Sequence, residues 1–304
     1  MRAVCLSRTG GPEVLEVRDV PEPEAAESLL VIKTAATAVN PVDLATRSGQ
    51  IPTSLPAVLG WDLAGTVEHA PEGSGFRAGD RVLAMTAQLG TGVGSMAEYV
   101  AFDPRYVAHV PDGMALTDAA ALPLAGVTAV QLLRRTPDRR GRRILLIGAQ
   151  GGVGGHVAAR LLDEESARTD LLVRPADRSA WQERRAGRPA EGVVLTDPSR
   201  VESGAYDIVI DAGGAPGLIK AVRPGGAFLT ITPFSAPDPD GHPDVAYTLI
   251  GVELDRDDLV SVAEAAARGT APDHGITVLP FEDAAEAHRR LESGGFRGKL
   301  VLVP

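Results

Sequence analysis

Gly148, Gly151, Gly152, Gly154 and Gly155 follow directly on Ile144 to Ile147, a wholly apolar run that reads as a strand buried on both faces. Beyond them Val153, Val157, Ala158, Leu161 and Leu162 recur at helical spacing. A strand that feeds a helix through such a turn leaves unpaired N–H groups at the helix start. The missing side chains let a pyrophosphate approach those donors closely. Gln150, Gly151, Gly152 and Val153 occupy the positions that would face it, which makes the turn a candidate dinucleotide site. Glycine turns of this kind also arise for packing alone.

The residues downstream bear on which nucleotide. A second apolar run, Leu171 to Val173, lies where the next strand of a Rossmann unit belongs, and its end normally meets the adenosine ribose. An acidic residue there would grip a 2′-hydroxyl. This chain instead offers Arg174, Arg178 and Ser179, two cations and a hydroxyl that suit a 2′-phosphate, so the expected cofactor is NADPH rather than NADH. The alternative is that both arginines are solvated surface charges.

The 304 residues suffice for one large or two ordinary domains, and no apolar run reaches membrane-spanning length. The start of the chain lacks the pattern of a secretory signal. A net charge of −10 argues against a nucleic-acid or anionic-membrane partner. Cys5 is the only cysteine, which excludes a disulfide framework or a cysteine-rich metal site and fits a reducing cytoplasm. The six histidines, His69, His109, His156, His242, His274 and His288, pair with no Ser or Cys in a nucleophile motif, although His156 lies in the first turns of the glycine-turn helix.

Short strands at Met1 to Leu6, Val14 to Val20, Leu29 to Thr34, Gly65 to His69, Arg81 to Met85 and Ala97 to Phe102 predict an irregular β-rich unit. It is interrupted by a helix opening at Asn40-Pro41 and stopping near Gly49. From Asp118 the pattern changes to a helix over Ala119 to Leu133 and then alternating strands and helices, with Ala215 to Val222 as a crossover helix. That order implies a parallel sheet with right-handed crossovers. A helix over Leu259 to Ala267, a strand at Thr277 to Leu279, a helix near Asp283 to Glu292 and a strand at Lys299 to Val303 close the chain.

Ordered motifs run along almost the whole chain: GGPEVLEV at 10–17, NPVD at 40–43, RSG at 47–49, LGWDLAG at 59–65, GDRV at 79–82 and AEYV at 97–100. They continue as PDG at 111–113, AALPLAGVTA at 120–129, IGAQGGVG at 147–154, YDIVIDAGG at 206–214, RPGGAFLTI at 223–231, EDAAEAHRRLESG at 282–294 and RGKLVLV at 297–303. In these the chain resembles the zinc-independent medium-chain dehydrogenases/reductases of the quinone oxidoreductase and enoyl reductase type. The resemblance implies an α/β fold, with a GroES-like β-rich catalytic domain over 1–118 and 255–304 and a Rossmann doubly wound parallel-sheet domain over 119–254. It also implies a homodimer and a small-molecule substrate of enone, enoyl or quinone type.

The resemblance places Asn40 and Thr128 beside the nicotinamide and the substrate. Each also has a structural alternative, Asn40 as a helix cap and Thr128 bonding back within its helix. Gly213, Phe234 and Lys299 fall where relatives border the cofactor, and Asp43 reads as structural. Gly60-Trp61-Asp62 stands where zinc-dependent relatives carry Gly-His-Glu, so thiolate and imidazole ligands are missing and no zinc is expected. Without a Lewis acid, hydride delivery to an already activated double bond or quinone is the expected chemistry. Ala45 and Ile51 replace two tyrosines frequent in relatives, Asp197 replaces a third near the adenosine phosphate, and 163–191 lacks the usual alanine-rich helix. These departures leave open a second role, a nucleotide-binding protein of the same fold with a non-redox function.

Overall fold

A computed structural model describes the chain except for residues 87–90, 166, 236 and 273–274. His274 and parts of the 87–95 and 233–245 loops lie outside the described residues. Two compact units result. The first comprises Met1–Val127, Glu253–Gly269 and Gly275–Pro304, the second Thr128–Val252 and Thr270–His274.

The first unit opens with β1 (Arg2–Leu6), β2 (Leu15–Asp19), β3 (Leu30–Val39), α1 (Pro41–Ser48), β4 (Ala57–Val58) and β5 (Asp62–His69). It goes on with β6 (Arg81–Met85), β7 (Tyr99–Phe102), β8 (Val107–His109) and α2 (Leu116–Ala120), and α3 (Pro123–Arg135) leads out of it. The second unit holds β9 (Arg143–Ile147), α4 (Gly152–Leu161), β10 (Arg168–Leu172), α5 (Arg178–Arg185), β11 (Val194–Leu195), β12 (Tyr206–Asp211), β13 (Val222–Thr230) and β14 (Ala246–Leu249). α6 (Arg256–Ala267), β15 (Ile276–Pro280), α7 (Ala284–Glu292) and β16 (Lys299–Val303) return to the first.

In the second unit the six strands form a wholly parallel sheet in the order β11-β10-β9-β12-β13-β14. Side chains alternate across a strand, and β9 shows why its sequence is apolar throughout. Ile144 and Leu146 join the core beneath α3, α4 and α5, while Leu145 and Ile147 join the core on the opposite face. The first unit has a three-stranded sheet, β2-β1-β4, and a seven-stranded one in which β16 pairs antiparallel with β3. That pairing brings the end of the chain beside the segment leading into α1.

Local chemistry fixes α1. Asn40 is the extended N-cap, Pro41 fills the first helical position, the Asp43 carboxylate accepts from the Asn40 backbone N–H at 2.8 Å, and Gly49 ends the helix at φ 86°. Elsewhere the structure departs from the sequence expectation. The helix expected over Ala119 to Leu133 is two helices, because Pro123 lacks the N–H needed to continue α2 and instead opens α3. With α2 packed on β3 and β5, the first unit extends to Val127. The crossover at Ala215 to Val222 is a 3-10 helix, Pro216–Ala221. α5, β4, β8 and β14 are additional elements.

α7 carries a buried histidine against α1. His288 is fully buried with neither ring nitrogen hydrogen-bonded, and the nearby Arg47, 1% exposed, pairs through Nη2 with Glu292 at 2.9 Å. Burial, with the Arg47 charge adding to it, pushes His288 down to about 3. A folded-state value below the unfolded one, about 6.5, means that His288 must become charged to follow the unfolded chain in acid. Its contribution is intact above about pH 6.5 and is lost as the pH falls from there toward 3. Between pH 7 and 4.5 this group alone is expected to cost about 2–3 kcal/mol, and His288→Leu should flatten that limb in urea unfolding at the two pH values. Equal acid sensitivity of the two proteins would contradict it.

Candidate active site

The glycine turn in the second unit is sterically closed. Gly148 adopts φ 82°, and a Cβ there would lie 2.8 Å from the backbone of Gly213. A Cβ at Gly154 would lie 2.1 Å from the Gly148 carbonyl oxygen. Only hydrogen fits at either place. Gly151 is the extended N-cap of α4, no side chain caps it, and Gly152 and Val153 form the first turn. The helix therefore leaves its first N–H groups without a side-chain cap. On the adjoining turn the Asp211 carboxylate accepts from the N–H groups of Gly213, Gly214 and Ala215 at 2.8–2.9 Å, which fixes the loop against which Gly148 packs. Gln150 Oε1 is buried without a hydrogen-bond partner, an unsatisfied acceptor within the turn itself. These features fit a pyrophosphate-bearing cofactor.

The adenosine-side candidates separate. Arg174 Nε donates to Asp177 at 2.7 Å, so its charge is already matched. Arg178 opens α5 and lines a cavity, and Ser179 beside it is exposed. Phe234 is 62% exposed on a 3-10 turn after β13. Thr128 is buried in α3.

In the first unit, Asn40, Asp62 and Lys299 form one buried polar cluster. Asn40 Nδ2 donates to Asp62 Oδ2 at 2.8 Å and to the Ala38 carbonyl at 3.3 Å, and Asn40 Oδ1 accepts from Lys299 Nζ at 2.6 Å. Asp62 Oδ1 accepts from the Leu124 N–H at 2.6 Å, and Lys299 Nζ lies 3.6 Å from Asp62 Oδ2. Asn40 therefore does not hold a free amide out to a ligand carbonyl, as its expected role required. Both N–H bonds and the oxygen are engaged within the cluster, and the side chain acts as a bridge between a carboxylate and an ammonium. Burial pushes the Asp62 carboxyl up, and the Lys299 charge and the Asn40 amide oppose it. Asp43, fully buried, accepts from the N–H groups of Asn40 and Gly60 at 2.8 and 3.1 Å. Burial pushes it up to about 7, with the backbone N–H of Asn40 opposing and the Asp62 charge adding.

Asp62 was missed as a site residue. Its signal was an acid within an apolar strand, which has to find a partner, but nothing local names Lys299 as that partner. The residues at the Gly-His-Glu position do not fit a metal. Trp61 offers a buried indole, both Asp62 oxygens already accept hydrogen bonds, and among the described residues no group of three or more His, Cys, Asp or Glu could hold an ion.

A parallel sheet with a glycine turn at the start of α4, in a chain that also holds a β-rich unit regaining the C-terminal strand, marks a nucleotide-binding fold with a second unit. Comparison with known proteins narrows this. The alcohol dehydrogenase GroES-like domain family matches residues 26–112 and the zinc-binding dehydrogenase family matches residues 181–302. The chain is 29% identical to the chloroplastic NADPH-dependent alkenal/one oxidoreductase of Arabidopsis thaliana, over all of this chain and 80% of that protein. It is 39% identical to a quinone oxidoreductase of Pseudomonas aeruginosa over 148 residues, 48% of this chain and 44% of that one. The Coxiella burnetii quinone oxidoreductase shares the fold, with a TM-score of 0.88 at 23% identity over 100% of this chain and 99% of that one. A mycobacterial protein solved in complex with NADPH superposes with a TM-score of 0.84 at 28% identity over the full length of both. The chain carries the GroES-like and zinc-binding dehydrogenase domains and is an oxidoreductase, similar over its whole length to proteins named alkenal/one and quinone oxidoreductases. Among its described residues no helix is long and apolar enough to cross a membrane.

Proposed function

We propose that the protein is a zinc-independent reductase that uses NADPH to reduce an activated carbon–carbon double bond or a quinone. The observation that carries this is the Gly60-Trp61-Asp62 segment. With an indole in place of a ligand and a carboxylate already committed to Asn40, Lys299 and the Leu124 N–H, the described residues of this segment do not form a ligand set for a Lewis acid that would polarise an unactivated ketone or alcohol. An acceptor whose carbonyl is conjugated to the double bond needs none. The names of the Arabidopsis and Pseudomonas relatives, an alkenal/one and a quinone oxidoreductase, support the same class.

In this account Gln150, Gly151, Gly152 and Val153 hold the pyrophosphate at the start of α4, and the Asp211-braced turn at Gly213 limits the space on its other side. When bound, the cofactor would supply a hydride to the activated acceptor, and solvent would supply the balancing proton. Asn40 and Lys299 act as positioning residues that hold the start of α1 against β16, while Thr128 and Phe234 are assigned to the cofactor by the resemblance. The protein works on a small molecule, as a homodimer in the cytoplasm.

The test is spectrophotometric: NADPH oxidation at 340 nm with a panel of enones, enals and quinones is expected, with a clear preference over NADH. No consumption across the panel by protein that binds the nucleotide would overturn it. That outcome would favour a non-redox nucleotide-binding role, the reading toward which the fully engaged Asn40 amide points.

A further inference from the structure

Two helices of the first unit, α1 and α7, bury a positive charge that their side chains match only in part. Arg47 of α1 is 1% exposed, and a guanidinium does not lose its proton in a protein. Its Nη2 donates to Glu292 Oε1 at 2.9 Å, the only ion pair that Arg47 makes among the described residues. The Glu292 side chain is half-exposed, so solvent screens its charge. Arg47 Nε and Nη1 are buried and have no hydrogen-bond partner.

His288 precedes Glu292 by one helical turn, so the two lie on the same face of α7. Arg47 reaches that face from α1, and its charge adds to burial in keeping the imidazole neutral. Neither ring nitrogen of His288 has a partner. The Nε–H of Arg47, both N–H bonds of Nη1 and one imidazole N–H thus lack an acceptor. Such an excess of buried donors around a charge that cannot be shed calls for an anion, because a water molecule satisfies donors and leaves the charge unmatched. Ala284, one turn before His288, and Ala287 belong to the apolar cluster that includes Phe281, and Leu44 of α1 packs against it. In apolar surroundings a divalent ion costs more to strip of water than a halide does.

We propose that Arg47 and His288 form an internal binding site for a small monovalent anion of chloride size, held by a guanidinium N–H from α1 and the imidazole N–H from α7. Glu292, at the solvent end of the pair, competes with this anion for the guanidinium. The bound ion ties α1 to α7, so the stability of the first unit depends on halide. The site is independent of the nucleotide site proposed above.

Anomalous scattering from crystals of the full-length protein grown in bromide tests this directly. A bromide peak is expected within hydrogen-bond distance of an Arg47 guanidinium nitrogen and a His288 ring nitrogen. In solution, at about pH 7.5 and constant ionic strength, replacing gluconate by chloride or bromide should raise Tm by about 2 °C or more and saturate with halide. His288→Leu sets an apolar side chain among apolar neighbours, keeps the fold and should lose most of that rise. Glu292→Gln removes the competing charge at a half-exposed position and should tighten the apparent halide affinity by roughly threefold or more. Three results would each overturn the inference: no bromide peak at these residues, bromide binding at crystal concentration only with no halide-specific change in Tm, or a halide effect that is the same in both variants as in the unaltered protein.

Discussion

Asp62→Ala is expected to destabilise the protein by about 3–5 kcal/mol, the usual cost of removing one partner from a buried ion pair. The cost comes less from the attraction lost than from what remains. Lys299, with its side chain 10% exposed, would keep Asn40 Oδ1 as its acceptor and have no counter-charge, and the Leu124 N–H would lose the carboxylate it donates to. Burying both charges costs desolvation energy even when the cluster is intact. For that reason Asp62→Leu combined with Lys299→Met should be less damaging than the sum of the single changes, with a coupling of about 1–3 kcal/mol. Urea unfolding of the four proteins measures it. A loss below about 1 kcal/mol for Asp62→Ala would contradict the burial and the pairing described here.

The second large effect is expected at the glycine turn. In Gly154→Ala the new Cβ meets the Gly148 carbonyl oxygen at 2.1 Å and its carbon at 2.7 Å, and because both are backbone atoms the turn itself must open. Nucleotide affinity should fall by about a hundredfold or more, with a stability loss on the order of 1–3 kcal/mol. Gly151→Ala provides the contrast. A Cβ there meets only the Gly148 oxygen at 3.4 Å, and the N-cap backbone is extended, so folding should be nearly unaffected. The added methyl group would stand at the helix start, where a pyrophosphate would sit, and is expected to weaken binding alone. Calorimetry with NADPH together with thermal unfolding separates the two. Unimpaired binding in both variants would place the nucleotide elsewhere.

What could be read from sequence follows from how far apart the interacting residues lie. The strand, turn and helix at Ile144 to Leu162 are visible because each step rests on neighbours, and α1 declares both its ends through Asn40-Pro41 and Gly49. β14 was not visible, since Ala246-Tyr247-Thr248-Leu249 is an edge strand without a continuous apolar run and is held by its pairing to β13. α5 was hidden by its arginines, and only Trp181 on it is buried. The cluster of Asn40, Asp62 and Lys299 depends on antiparallel pairing between β3 and β16, at opposite ends of the chain, and spacing says nothing about such a meeting. The arginines at 174 and 178 looked alike in sequence. An ion pair to Asp177 separates them.

The central claim is hydride transfer to an activated double bond, and the most direct measurement follows the hydride itself. With NADPH deuterated at nicotinamide C4 and a simple enone, mass spectrometry and NMR of the product should place deuterium on the carbon β to the carbonyl, with the α position taking its hydrogen from solvent. Product without deuterium at that carbon, or no product from protein shown to bind NADPH, would contradict the account.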